Sequence, residues 1–143
     1  RSPRRGRSLD LFAQLVHLGE LVAHPRLAYE VALVEVEEVR RDDGRGSWRR
    51  QGVSIDERRL LRLLGTERFD GPDGLASVLP SELAQPFANR ELAQYLGVDA
   101  RLAAKITYCL RQAGRVRVAG RAGREYLHEV TPLQVREGKL LTP

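Results

Sequence analysis

The spacing of apolar and polar positions changes character several times along the chain. Leu11, Phe12, Leu15, Leu18 and Val22 recur at helical spacing up to His24-Pro25, where proline disfavours continuation, so a helix is predicted over residues 9–23. Residues 27–39 are dense in Val, Leu and Tyr, with acids interleaved as Glu35-Val36-Glu37, the pattern of a strand half buried in a sheet. Arg41-Asp42-Asp43-Gly44-Arg45-Gly46-Ser47 reads as a turn, and residues 48–53 as a weaker returning strand containing Arg49, Arg50 and Gly52. Ser54-Ile55-Asp56-Glu57 has the spacing of a capping box, and Leu60, Leu61 and Leu64 give an apolar face before Gly65, so a short helix is predicted there. Residues 69–73 form a Gly/Pro/Asp turn cluster, 75–79 a single helical turn, and Pro80 and Pro86 bracket a further short element.

From Phe87 onward the pattern sharpens. Asn89 is placed to cap a helix, Leu92, Ala93 and Leu96 share one face, and Gly97 suits a left-handed C-terminus. Val98-Asp99-Ala100 then leads into a second helix over 101–113, stopped by Gly114. Within it Leu102, Ala103, Ile106, Cys109, Leu110 and Ala113 form a continuous core-facing stripe. Arg101, Ala104, Lys105, Thr107, Tyr108, Arg111 and Gln112 are left for the opposite face, which holds no acid. Behind this helix, Val116 and Val118 alternate with Arg115 and Arg117, and a Gly-rich cationic tip at 120–124 separates them from the strand 125–130.

Composition bounds the reading. The chain has 143 residues, 42% hydrophobic and 30% charged, the balance of one ordinary domain or two small ones rather than a collagen, a mucin or a disordered chain. No run approaches the roughly 20 apolar residues of a membrane helix, since Asp10, His17, Glu20, His24, Arg26 and Glu30 break the most apolar stretch. No small-residue cleavage site follows the basic opening, so no secretory signal is read and the cytoplasm is the expected compartment. One cysteine and three histidines leave too few ligands for a zinc site, and neither metal nor cofactor is expected. The net charge of +5 becomes informative only by position: residues 1–86 hold equal numbers of cations and acids, while 101–124 carry seven cations and no carboxylate.

Helix, tight turn, second helix and β-hairpin, carried by residues 87–98, 102–110 and 115–130, resemble a winged helix-turn-helix. More loosely, Leu15-Val16-His17, His24-Pro25, Glu37-Glu38-Val39-Arg40 and the later Tyr108-Cys109-Leu110-Arg111 are similar to a group of uncharacterised bacterial proteins, a likeness that supplies no activity. The resemblance implies an α+β fold, an N-terminal helix plus β-hairpin followed by a winged helix-turn-helix, with the predicted 54–64 helix completing a three-helix core. It divides the chain into a flexible basic arm (1–7), a helix and hairpin region (8–53), a winged-helix domain (54–130) and a C-terminal tail (131–143). It also implies non-catalytic binding to nucleic acid, duplex DNA first, with transcriptional regulation as its use. The second helix would enter the major groove with Arg101, Lys105, Tyr108 and Arg111, while Arg117, Arg121 and Arg124 on the hairpin would meet the backbone or the minor groove.

Blander readings stand beside these. Winged helices also serve as protein-protein adaptors, and a basic stripe is often only a solvated face. Tyr108 fits the edge of the core as well as the stripe. Cys109, on the apolar face, reads as a small buried hydrophobe rather than a nucleophile. Glu35 and Glu37 share a strand face as metal-nuclease ligands would, but the lysine of the restriction-enzyme pattern is absent, and a solvated acidic edge is preferred. His17, His24 and His128 are scattered, with no Ser or Cys placed to use them, and Gly120-Arg121-Ala122-Gly123 lacks the lysine-serine ending of a phosphate loop. Arg45, Trp48, Arg49 and Arg50 read as a core-covering Trp among solvated cations, with base stacking as the alternative. Self-association through the N-terminal helix and hairpin is a further expectation, because a two-stranded hairpin needs apolar cover.

Overall fold

In the computed structural model, which describes residues 5–42, 44, 53–132, 135–136 and 139–140, the N-terminal apolar repeat does not make one helix. Ser8–Leu11 form a 3-10 turn, Phe12–Leu15 a single α-turn (α1), and Val16–Ala23 a second 3-10 segment. The continuous helix expected over 9–23 is interrupted at Gly19, whose φ of 56° and ψ of −127° are non-helical. Phe12, Leu15 and Val22 are buried, while Leu18, in the 3-10 segment before Gly19, is exposed.

Strand β1 (Ala28–Asp42) covers the expected strand and extends it. Its partner β2 (Val53–Asp70) corrects the helix predicted from the capping box at 54–57. Leu60, Leu61, Leu63 and Leu64 fit a strand with aliphatics on both faces as well as they fit a helical stripe, and pairing with β1 decides between them. Two ion pairs fix the sense of the ribbon, Glu35 with Arg62 and Glu38 with Arg58, advancing on β1 as they retreat on β2. Of the returning strand expected at 48–53, and of Arg45, Trp48, Arg49 and Arg50, all but Val53 lie outside the described residues, as do Arg1 and Arg4 of the basic arm.

Helix α2 (Gly71–Ala76) begins inside the predicted turn cluster, several residues before the helical turn expected at 75–79. Gly71 permits this with a φ of +61°, and a Cβ there would stand 3.0 Å from the Pro25 carbonyl oxygen. Between Pro80 and Pro86 the chain makes turns, without helix or strand. Helices α3 (Asn89–Leu96) and α4 (Ala100–Gln112) follow, then the antiparallel hairpin of β3 (Val116–Ala122) and β4 (Glu125–Val130). A short antiparallel pair, β5 (Val135–Arg136) and β6 (Lys139–Leu140), lies in the C-terminal segment.

The chain divides into two compact units, Arg1–Glu30 with Arg68–Pro143, and Val31–Glu67. In the first, α1, the 3-10 segment after it, α3 and β3 all pack against α4. Phe12, Leu75, Phe87, Leu92, Ile106 and Leu110 are buried almost completely there, each stabilising the fold by about 1.5–3 kcal/mol. The helical piece that joins α3 and α4 in this core is therefore the N-terminal segment, not residues 54–64. The second unit is the ribbon of β1 and β2, and over residues 31–42 and 57–67 none is buried. The class is α+β, with small helices and two antiparallel hairpins. Among the described residues no helix is long and apolar enough to cross a membrane.

Candidate nucleic-acid interface

The apolar stripe of α4 is buried as its spacing requires: Leu102, Ala103, Ile106, Cys109, Leu110 and Ala113 all face the core. Asp99 caps the helix, its Oδ1 accepting from the Leu102 N–H at 2.7 Å. Gly97 ends α3 in the left-handed conformation, φ 66°, and the Val98 N–H donates back to the Ala93 carbonyl at 3.1 Å, so the two helices meet at a defined turn. Asn89 does not cap α3. The N-cap is Ala88, whose N–H donates to Glu91 Oε1 at 3.2 Å, and the Asn89 amide oxygen instead accepts from Thr107 Oγ1 at 2.7 Å. That bond draws Thr107 off the polar face and buries it between α3 and α4.

What remains outward on α4 is Arg101, Ala104, Lys105, Tyr108 and Arg111. Tyr108, which fitted either the core edge or the stripe, is 38% exposed and stands on the stripe. Arg101, Ala104, Lys105 and Tyr108 line an open depression of about 490 Å³ whose further wall is Val16. Nothing in the apolar spacing around Val16 assigns it to this face, since only the packing of the N-terminal segment on α4 brings it there. Among the described residues Arg101, Lys105, Arg111 and Arg124 make no ion pair, so their charge is uncompensated at short range.

The hairpin cations are more engaged. Arg117 donates to Glu129 across the strands at 2.7 Å, and the Arg121 guanidinium lies 4.9 Å from the centre of the Tyr126 ring. Gly123, φ 62°, turns the tip beside exposed Arg124. Arg90 reaches Glu125 at 3.4 Å, and Arg115 donates to Asp73 at 2.6 Å. The structure thus gathers Arg101, Lys105 and Tyr108 on one depression, leaves Arg111 exposed on α4 outside its lining, and sets Arg117, Arg121 and Arg124 along the hairpin. At the other end of the sequence, Arg7 is tied down, its guanidinium donating to the Gly97 carbonyl at 2.6 Å in the α3–α4 turn. Nothing in the sequence around Arg7 signals that contact, which joins residues 90 positions apart.

Other candidates take quieter places. Burial pushes the Cys109 thiol up to about 11, so it is protonated near neutrality, and its Sγ lies 3.8 Å from the Phe12 carbonyl oxygen. His128 is buried against Phe87, with ring centres 5.8 Å apart, and neither ring nitrogen finds a partner among the described residues. Burial first, then the nearby Arg111 charge, lowers its pKa below the ordinary 6.5. Glu35 is held by Arg62 in the ribbon. Among the described residues no group of three or more His, Cys, Asp or Glu side chains is placed to hold a metal ion.

Comparison with known proteins adds sequence relatives without an assigned activity. A family described as "Domain of unknown function (DUF8091)" matches residues 1–70, a span that ends where β2 ends. An "Uncharacterized protein" of Treponema pallidum (strain Nichols) is 29% identical over 133 residues, covering 92% of this chain and 52% of its own length. The chain therefore spans about half the length of that curated relative. No solved structure matches.

Proposed function

We propose that this chain binds duplex nucleic acid, DNA in the first place, without catalysis, through α4 and the β3–β4 hairpin arranged as a winged helix-turn-helix, and that it serves transcriptional regulation in the cytoplasm. The observation that carries the reading is the outward face of α4, where Arg101, Lys105 and Arg111 stand without an ion pair among the described residues, in a stretch, 101–124, free of carboxylates. A helix of about 12 Å diameter fits the major groove, and cations flanking it meet phosphates. The order α3, turn, α4, β3, β4 supports the same reading. So does the pairing of Phe87 with His128, which lays a single extended residue against β4 through two backbone hydrogen bonds of 2.8 and 2.7 Å. Arg121 and Arg124 at the hairpin tip are the cations placed to follow the adjacent backbone.

Fluorescence anisotropy with random-sequence duplex DNA tests it. Each phosphate contact contributes about −0.9 to the slope of log affinity against log salt, so five contacts would weaken binding several-hundredfold, on the order of 500-fold, over a fourfold rise in salt. The triple variant Arg101→Ala, Lys105→Ala, Arg121→Ala is expected to nearly abolish binding and to flatten the slope by about 2.7. Absence of binding at low salt, or a triple variant that binds like the parent, refutes the proposal. In that event the apolar wall of the α4 depression, Val16 with Ala104 and Tyr108, favours a protein-interaction adaptor.

A further inference from the structure

The N-terminal basic stretch meets the turn between α3 and α4. Arg7 is pinned there by backbone and side chain together: its N–H donates to Asp10 Oδ2 at 2.8 Å, its carbonyl accepts from the Asp10 N–H at 3.0 Å, and its guanidinium donates to the Gly97 carbonyl at 2.6 Å. Gly97 stands four residues before Arg101, the first cation of the α4 stripe, and Val16, further along the same N-terminal segment, walls the depression beside that stripe. The segment from Arg7 to Val16 therefore borders the stripe at two places.

The partner that holds Arg7 leaves its charge available. Arg90, Arg115 and Arg117 are held by the carboxylates of Glu125, Asp73 and Glu129, which offset them at short range. Arg7 is held by a neutral carbonyl, and among the described residues its guanidinium makes no ion pair, the nearby Asp10 carboxylate being taken by the Arg7 backbone N–H. A guanidinium has five N–H donors, so most of them remain free for a second acceptor. Arg5, two residues earlier, is exposed and makes no hydrogen bond or ion pair among the described residues. An uncompensated guanidinium oriented in advance suits a phosphate, which it meets without the full entropy cost of ordering a long side chain. The turn that leads into a helix lying in the major groove stands at the edge of that groove, where the phosphates run.

We infer that Arg5 and Arg7 form a third element of the nucleic-acid interface, contacting phosphates beside the groove that α4 enters. The inference rests on the proposed function and adds to it a segment that belongs neither to the helix-turn-helix nor to the hairpin.

Anisotropy of the full chain with random-sequence duplex DNA, followed over a salt series, separates the two. Each phosphate contact contributes about 0.9 to the salt slope, which amounts to about 8-fold in affinity at 0.1 M salt relative to 1 M. Arg5→Gln and Arg7→Gln are each expected to flatten the slope by about 0.9 and to weaken binding about 8-fold at 0.1 M salt, and the double variant roughly 60-fold. Arg7→Lys keeps the charge and is expected to keep the slope. Arg5→Gln removes no contact from the fold and should melt with the parent, so its weaker binding would not come from unfolding. If the parent binds with a steep salt dependence and both Gln variants keep its slope, this inference falls while the proposed function stands. A slope for Arg7→Lys as flat as that of Arg7→Gln also overturns it, because Arg7 would then act through the turn it holds and not through its charge. A parent that does not bind at low salt overturns both.

Discussion

His128 is held by its backbone rather than by its ring. Its N–H donates to the Phe87 carbonyl at 2.7 Å and its carbonyl accepts from the Phe87 N–H at 2.8 Å, while both ring nitrogens stay buried without a partner among the described residues. The folded chain therefore favours the neutral ring, and the pKa lies below the ordinary 6.5 because of burial and then Arg111. Between those two values the unfolded chain binds more protons than the folded one, so the stability this ring contributes rises with pH across that window. It is present in full above pH 6.5 and is lost as pH falls through the lowered folded value. Melting curves from about pH 7 down to about pH 5 should show the parent falling more steeply than His128→Phe, which keeps an aromatic ring and carries no titratable nitrogen. Equal slopes for the two proteins would mean that the ring takes no proton on unfolding.

Element by element, legibility followed how many constraints agreed. Helix α4 was readable because six apolar positions and a stopping Gly114 point to one answer, and each is found in place; the Asp99 cap, which the sequence reading passed over, fixes its start. Residues 54–64 were misread because their capping box is a local signal, whereas the strand is fixed by β1, whose pairing positions lie twenty or more residues away. The N-terminal helix failed at Gly19, which leaves no mark on apolar spacing. The α4 stripe of the candidate site was legible for the same reason as its helix. Val16 and Arg7 were not, because tertiary packing alone brings them to it. Gly97 is where local sequence and tertiary need coincide: its φ of +66° sets the α3–α4 turn, with open space around the position of a Cβ. Gly97→Ala should therefore destabilise by about 1 kcal/mol through backbone strain alone, lowering the melting temperature by roughly 3–6 °C. A variant as stable as the parent would show that the turn relaxes without cost.

At the scale of the whole chain, packing and charge divide along the same line. Every described buried residue, from Phe12 to His128, belongs to the unit of Arg1–Glu30 with Arg68–Pro143, and none to Val31–Glu67. The ribbon segment holds eight cations and eight acids, so the entire net charge of +5 resides in the other unit. That unit thus holds both the core and the polyanion-binding surface proposed above. Its chain can also be closed without the ribbon, because the Gly71 N–H donates to the Leu27 carbonyl at 3.0 Å, holding the start of β1 beside the end of β2. A short Gly-Ser bridge spans neighbouring strands about 5 Å apart, and closing so short a loop costs little entropy. Replacing residues 32–65 by such a bridge is expected to leave a cooperatively unfolding protein. It should bind duplex DNA at low salt with the parent's salt slope, because the counterions released come from cations the excision does not touch. Circular dichroism melts check the first expectation and anisotropy the second. A lower salt slope would place part of the phosphate contact on the ribbon, and loss of cooperative unfolding would show that the core depends on strands that bury none of it.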